Sequence, residues 1–200
     1  MTKQPSNADV YEDLQAEVIM LARSLTSEEA TIKVPQSPAW SIRDVVAHVA
    51  GVVDDMLSAN LAGIGTDAWT EAHLAKRAND SLGEVCDGWE SSGPAFRALG
   101  DDDPVFAMRA VADLTTHHHD ILQALGRRGE RDTASVRLAL ERYGPFFCER
   151  ADQAGLPAVR VEAGRQIWQS RDGTPGAALA GPAFEILRAL SGRRSRAQIL

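Results

Sequence analysis

The sequence predicts a mainly α protein: a helical bundle followed by a small C-terminal α/β appendage. Apolar residues recur at helical spacing through the first three quarters of the chain. Glycine and proline clusters divide this part into segments of helix length. Strand-like alternation begins only after the "GLP" at 155–157. We therefore expect residues 1–154 to form a bundle of about four main helices and residues 155–200 to form a small α/β subdomain.

The first two helices are predicted from their apolar spacing and from one capping pattern. The stretch "ADVYEDLQAEVIMLARSL" repeats apolar residues at helical spacing, so an amphipathic helix is expected there. A second helix is expected from "SIRDVVAHVAGVVDDMLSANL". Ser41 is the expected N-cap, and Asp44 stands where the acid of a capping box would stand.

Turn residues mark the remaining helical segments. Two prolines predict a loop over residues 33–40. Residues 69–99 form a third helical stretch, which glycines at 83, 88 and 93 are expected to kink or break. Asp103 is expected to cap a helix that runs from Pro104 to a glycine at 126. Residues 131–155 are expected to form one more helix or a broken pair.

The C-terminal segment has a different pattern. Residues 158–164 and 166–173 alternate as strands do, and residues 177–181 are a third short strand candidate. Residues 182–196 are expected to form a closing helix. About 45 residues are too few to bury a sufficient core alone, so we expect this subdomain to pack on the bundle.

Composition limits the classes of function. A formal charge of −7 argues against broad binding to nucleic acid, which needs a basic surface. No apolar run approaches the about 20 residues that span a bilayer, and no apolar leader segment opens the chain. We therefore expect a cytoplasmic protein that acts on small molecules, without nucleic-acid or membrane partners, as a monomer or a homodimer.

The stretch "ADLTTHHHDILQALG" contains the most informative polar residues. On a helical wheel His118 falls inside the apolar stripe, His117 lies at its edge, and His119 points to solvent. Asp113 and Asp120 stand four residues before and three residues after His117. Side chains at these spacings are neighbours on a helix, so a carboxylate and an imidazole here can reach one cation.

The second helix carries a matching polar residue. His48 stands among valines, one turn after Asp44. His48, His117 and one carboxylate would supply the three protein ligands of a catalytic zinc site and leave one position open. Spacing alone does not choose between His117 and His118, or between Asp113 and Asp120 as the carboxylate. The competing interpretation makes both histidines core residues of a metal-free bundle, and His73 is expected on a helix surface.

Three segments resemble the signatures of the mycothiol-dependent maleylpyruvate isomerase family, part of the DinB-like metalloenzyme superfamily. The segment "SPAWSIRDVVAHVAGVVDDM" is similar to the family's Trp-Ser/Thr-x-x-Asp motif and the metal-binding His that follows it. The matching residues are Trp40, Ser41, Asp44 and His48.

The family's second signature begins with an acid that is followed, after three residues, by a His. An Asp stands three residues after that His, and the motif ends in Ala-x-Gly. The segment "DLTTHHHDILQALG" matches this pattern with Asp113, His117 and Asp120. The segment "GPAFEILRALSGRRS" resembles the family's C-terminal Gly-Arg, with the arginine at Arg193. The family's second ligand is often Glu, whereas Asp113 is one methylene shorter. Asp120 and His118 therefore stay open as alternatives for the third ligand.

The resemblance implies a DinB-like four-helix bundle with a divalent metal, usually zinc, held by His48, Asp113 and His117. It implies a metal-dependent thiol S-transferase or isomerase with mycothiol or a similar thiol as cosubstrate. The metal would favour the thiolate form, which is the nucleophile that attacks a small electrophile. The alternative is a non-catalytic protein that binds a small molecule or a metal on the same scaffold.

Three further residues have expected roles around this site. The resemblance implies that Arg193 would hold an acidic group of the substrate or the thiol through paired hydrogen bonds. Asp120, as a remaining acid, is expected to take a catalytic role by orienting a ligand imidazole. Trp40 is expected to seal the metal end of the bundle beside the bound thiol, and the alternative is a simple hydrophobic staple beside the N-cap.

Overall fold

The computed structural model describes residues 4–199, and this part of the chain is mainly helical with a small sheet near its C-terminal end. The expected mainly α class with a C-terminal sheet is confirmed. The chain divides into two compact units, Met1–Gly129 and Glu130–Leu200.

The N-terminal unit holds seven helices and one short hairpin among its described residues. In chain order these are α1 (Asn7–Arg23), α2 (Ser27–Ala30), β1 (Lys33–Val34), β2 (Ser37–Ser41), α3 (Ile42–Leu57), α4 (Asp67–Lys76), α5 (Leu82–Ser91), α6 (Gly93–Asp102) and α7 (Pro104–Ala124).

Local capping chemistry sets the ends of the two helices that matter most. The Ser41 hydroxyl accepts a hydrogen bond from the Asp44 amide at 3.2 Å, and the Asp44 carboxylate accepts one from the Ser41 amide at 2.8 Å. This is the predicted capping box of α3. At the start of α7 the Asp103 carboxylate accepts from two backbone amides. The helix ends before Gly126, whose φ of +66° is the left-handed conformation that glycine adopts readily.

Two segments differ from the sequence prediction. The expected loop at 33–40 forms the antiparallel hairpin of β1 and β2. β2 runs directly into the cap of α3, because Ser41 is both the last residue of the strand and the N-cap of the helix, in an extended conformation. The third helical stretch is three helices, and two of the glycines expected to break it lie inside α5.

The core of the N-terminal unit lies between α1, α3 and α7. Helix α1 packs on α5, α6 and α7, while α3 packs on α4, α5 and α7. Trp89 of α5 is fully buried, and its indole N–H donates to the Tyr11 hydroxyl at 3.0 Å. The Gln15 amide donates to the Trp89 carbonyl at 2.9 Å. These two bonds satisfy buried polar groups at the α1–α5 contact.

The C-terminal unit is a three-stranded sheet with helices. Its elements are α8 (Ala134–Gln153), β3 (Val159–Ala163), β4 (Gln166–Gln169), β5 (Ala177–Gly181), α9 (Ala183–Leu190) and α10 (Arg196–Ile199). The strand order is β4-β3-β5, with β3 antiparallel to β4 and parallel to β5. The residues of β3 alternate between buried and half-buried, as the period of the sequence predicted.

Helix α8 belongs to this second unit, whereas the sequence grouped it with the bundle by a boundary after residue 154. It packs on β3, β4 and α9. A Cβ atom on Gly144 of α8 would lie 2.4 Å from Cδ2 of Trp168, so the helix and β4 approach closely. This contact between residues far apart in the chain has no counterpart in the local sequence pattern.

No helix within residues 4–199 combines the length and the apolar character needed to cross a membrane.

Candidate metal centre

Helices α3 and α7 bring His48 and His117 together. Their ring centroids lie 5.1 Å apart in an edge-to-face arrangement. Both side chains are buried, with exposed fractions of 4% and 6%. Each histidine lies on the face that its helix turns toward the other helix, so the two polar interruptions of the apolar stripes meet.

Asp113 completes the group. One of its carboxylate oxygens lies 3.6 Å from Nε2 of His117, and the other lies 3.9 Å from Nε2 of His48. One ligand atom from each of the three residues lies within 4.8 Å of the others, so the group could hold a metal ion. Asp113 is half-exposed, with 37% of its side chain open, while both histidines are buried. The group therefore opens to solvent on the side of Asp113.

The donor set fits a small divalent ion. Ligand atoms at zinc bond lengths in a tetrahedron lie roughly 3.4 Å apart. The carboxylate–imidazole separations of 3.6 and 3.9 Å involve different oxygens of Asp113, and with one ligand atom per residue the group is only within 4.8 Å, so the side chains must move closer together to bind one ion. Two imidazoles and one carboxylate suit zinc and other first-row metals, and three ligands leave a position for a substrate.

The other ring nitrogen of His117 points away from Asp113. Nδ1 of His117 is buried and has no hydrogen-bond partner among the described residues. The Asp120 carboxylate, with no exposed surface, is 3.7 Å from it. A small shift would let Nδ1–H donate to this carboxylate, and Nε2 would then keep its lone pair for a metal. Asp120 thus lies behind a candidate ligand, and its expected catalytic role stays a prediction.

Trp40 lies against both candidate imidazoles. Its ring centroid is 5.1 Å from that of His48 and 6.4 Å from that of His117. The hairpin holds this indole because β2 ends at the cap of α3. The structure therefore places Trp40 at the site, and its contact with a bound thiol stays a prediction.

The remaining two histidines of the "HHH" run are also buried. The expectation that His119 points to solvent is wrong: only 8% of it is exposed. A Cβ atom on Gly129 would lie 3.1 Å from Cε1 of His119, so the chain after α7 folds back over this ring. His118, an alternative ligand, lies 3.8 Å from the Glu17 carboxylate and outside the three-residue group. Burial lowers the pKa of His118, and the charge of Glu17 opposes that shift.

His73 is the residue that the sequence prediction missed. It was expected on a helix surface, yet only 3% of it is exposed. Its Nδ1 lies 3.1 Å from Nδ1 of His48, and its Nε2 lies 2.9 Å from the Asp55 carboxylate. These contacts connect α4 to the face of His48 that points away from Asp113.

Arg193 belongs to the C-terminal unit. Its guanidinium donates to the Ser191 carbonyl at 2.5 Å. The preceding Gly192 has a φ of +76°, so a turn follows α9 at this point. The expected contact of Arg193 with substrate or thiol stays a prediction.

The comparisons with known proteins leave the family open, since no protein-family model, no curated protein and no solved structure matches the chain. The resemblance to the maleylpyruvate isomerase family therefore stays a prediction.

Proposed function

We propose that the N-terminal unit is a DinB-like bundle that binds one divalent metal ion, zinc by preference, through His48, Asp113 and His117. We further propose that the protein is a metal-dependent S-transferase or isomerase for a low-molecular-weight thiol such as mycothiol. The observation that supports the proposal is the convergence of three metal-ligating side chains from two helices within 4.8 Å. The resemblance of both helices to the family's motifs supplies the reaction class.

The bound ion would supply Lewis acidity, which lowers the pKa of a thiol at the open position and yields a thiolate at neutral pH. The chain's own residues shape access to that position. The two imidazoles are buried, whereas Asp113 is half-exposed, so thiol and electrophile enter from the side of Asp113. The Trp40 indole covers the imidazoles and limits the access of water.

The transfer forms one carbon–sulfur bond. The thiol proton leaves sulfur before attack. With a halide substrate the halide ion departs, and with an epoxide or an activated alkene a proton is taken up by oxygen or carbon. In an isomerisation the carbon–sulfur bond breaks again and the thiol is recovered. Arg193 would orient an acidic group of the substrate or thiol by paired hydrogen bonds.

Metal content is the first test. Protein without a histidine tag, purified without chelators and then reconstituted with zinc, is analysed by elemental analysis. We expect about one zinc per chain, as a three-ligand site predicts, and loss of that zinc in His48→Ala and His117→Ala. His118→Ala is the matched control, because His118 is equally buried on the same helix but lies outside the group. Absence of zinc from the reconstituted wild type would exclude the proposed site.

Turnover separates the enzyme from a binding protein on the same scaffold. The zinc-loaded protein is incubated with mycothiol or another thiol and with an activated alkene, an epoxide and an alkyl halide. We expect conjugation or isomerisation that His117→Ala abolishes and His118→Ala retains. Zinc binding with unchanged substrates across the whole panel would instead identify a non-catalytic binding protein.

A further inference from the structure

A second set of polar side chains, the buried His73 and the half-buried Asp55, lies behind the candidate ligand His48. We propose that His73 and Asp55 form a positioning pair that holds His48 in the tautomer whose Nε2 lone pair faces the metal. This inference rests on the proposed function and extends it to two residues outside the ligand set.

Successive contacts connect the Asp55 carboxylate to His73, and His73 to the candidate metal ligand His48. The Asp55 carboxylate is 2.9 Å from Nε2 of His73. Nδ1 of His73 is 3.1 Å from Nδ1 of His48. Nε2 of His48 then faces Asp113 across 3.9 Å. Each imidazole thus presents its two nitrogens to two different neighbours.

With Asp55 ionised and His73 neutral, counting the protons gives the direction of these hydrogen bonds. An ionised carboxylate only accepts hydrogen bonds, so Nε2 of His73 must carry the proton that is shared with Asp55. A neutral imidazole carries one proton, so Nδ1 of His73 is an acceptor. The donor across the 3.1 Å contact is therefore Nδ1–H of His48. The remaining nitrogen of His48, Nε2, keeps its lone pair, which is the form that a metal binds.

The surrounding residues hold the pair in place. The second oxygen of Asp55 accepts from the Asn60 side-chain amide at 3.0 Å, which fixes the carboxylate. The Trp69 ring contacts the His73 ring edge-to-face at 4.3 Å. On the opposite side His73 lies against Gly51 of α3, where a Cβ atom would be 2.4 Å from its Cγ. Only a residue without a side chain allows the ring this close to α3.

This arrangement matches the usual support of metal-binding histidines, whose second ring nitrogen donates to an acceptor held by another group. Such partners raise the basicity of the ligand and fix its ring, and losing one typically weakens metal affinity about 10- to 100-fold. A pair with a purely structural role would stabilise the α3–α4 contact without fixing the proton on a ligand ring. The positions of the protons on the ring nitrogens of His48 and His73 therefore distinguish a positioning role from a structural one.

The first experiment reads the tautomers directly in metal-free, ¹⁵N-labelled wild type at neutral pH. Long-range proton–nitrogen correlations distinguish protonated from unprotonated ring nitrogens. We expect the proton on Nδ1 of His48 and on Nε2 of His73. A proton on Nε2 of His48, or two protons on His73, would overturn the inference. This measurement needs no variant and no bound metal.

The second experiment measures zinc affinity by competition with a chromophoric chelator. His73→Phe keeps a ring of similar shape but removes the acceptor, so we expect about 10- to 100-fold weaker binding. His73→Asn retains an oxygen near the position of Nδ1, so we expect it to recover most of the affinity. His119→Phe is the control, because His119 is buried on α7 and stands outside the ligand group. Wild-type affinity in His73→Phe, or equal losses in Phe and Asn variants, would contradict a positioning role.

The two experiments keep failure of the inference apart from failure of the proposed function. If wild type binds no zinc, the proposed function fails, whereas the tautomer measurement still tests the proton arrangement. If wild type binds zinc and the variants at 73 bind it equally well, the metal site stands and the positioning pair is excluded.

Discussion

Replacing Gly51 by alanine tests the packing behind the site, because two physical effects predict opposite signs. Gly51 lies in the interior of α3, where alanine is favoured over glycine by about 1 kcal/mol. On helix propensity alone, Gly51→Ala would stabilise the protein. The structure predicts the reverse, since the new methyl group would lie 2.6 Å from Cβ and 2.4 Å from Cγ of His73.

The magnitude follows from what must move. A contact with Cβ cannot be relieved by rotating the imidazole, so α4 must shift away from α3. Overpacking of this kind costs about 1–3 kcal/mol. Separating His73 from His48 leaves buried polar groups without partners, at about 1–3 kcal/mol more. After the helix gain is subtracted, a loss of about 3 kcal/mol in the free energy of unfolding remains, or about 6–12 °C in melting temperature for a chain of this size.

Gly88→Ala is the matched control. Gly88 lies inside α5, and nothing stands within 4 Å of the position its Cβ would take. Only the propensity effect operates there, so we expect a gain of about 0.5–1 kcal/mol. Both variants are compared with wild type by urea unfolding and thermal melts. Circular dichroism monitors the unfolding, and a chelator is present so that bound metal does not contribute. A stabilisation of Gly51→Ala equal to that of Gly88→Ala would refute the close contact of His73 with α3.

Three further predictions address the ligand, the substrate contact and the N-terminal cap. Asp113→Glu should retain zinc because the half-exposed side chain has room for one more methylene. Asp113→Asn loses a charged ligand, so in the same competition assay it should lose at least the about 10- to 100-fold in zinc affinity that removing an outer partner of a ligand costs. Arg193→Lys should raise the KM for the thiol or the acidic substrate at unchanged zinc content, because lysine cannot form the paired hydrogen bonds. The hydrogen bond from the Ser6 backbone amide is the largest cause, and that from the Arg97 guanidinium the second, of the lowering of the Asp9 pKa to about 2. The ionised Asp9 carboxylate therefore stabilises the fold above the unfolded pKa of about 3.9, and this contribution is lost as the pH falls toward 2. Asp9→Asn should therefore lower the melting temperature at neutral pH and flatten its decline between these two values.

The sequence predicted those parts of the fold that local chemistry determines. The start of α3 depends on Ser41 and Asp44, which are three residues apart. The start of α7 depends on Asp103 and the proline that follows it. The alternation along β3 likewise reflects a period of two in adjacent residues. Each signal lies within one turn or one strand, so a single sequence contains it.

Contacts between distant segments were not predictable in the same way. Helix α8 has ordinary helical periodicity, and nothing within it identifies the sheet as its packing partner. The wheel placed His119 in solvent because it represents one helix and omits the segment near Gly129 that covers the ring. The geometry of His117 with Asp113 was predictable from their spacing of four residues. The approach of His73 to His48 was not, since the two lie on different helices with no shared motif.

One signal in the sequence points to the missed contact. A glycine in the interior of a well-formed apolar helix lowers its stability, so Gly51 requires a compensating reason. In the structure that reason is the imidazole of His73, whose contacts lead through His48 to the candidate metal centre. Nδ1 of His117 is buried without a hydrogen bond, 3.7 Å from the Asp120 carboxylate. A small shift would pair these two groups with or without a metal at Nε2, so metal content, and not this nitrogen, decides between a metal centre and a metal-free core.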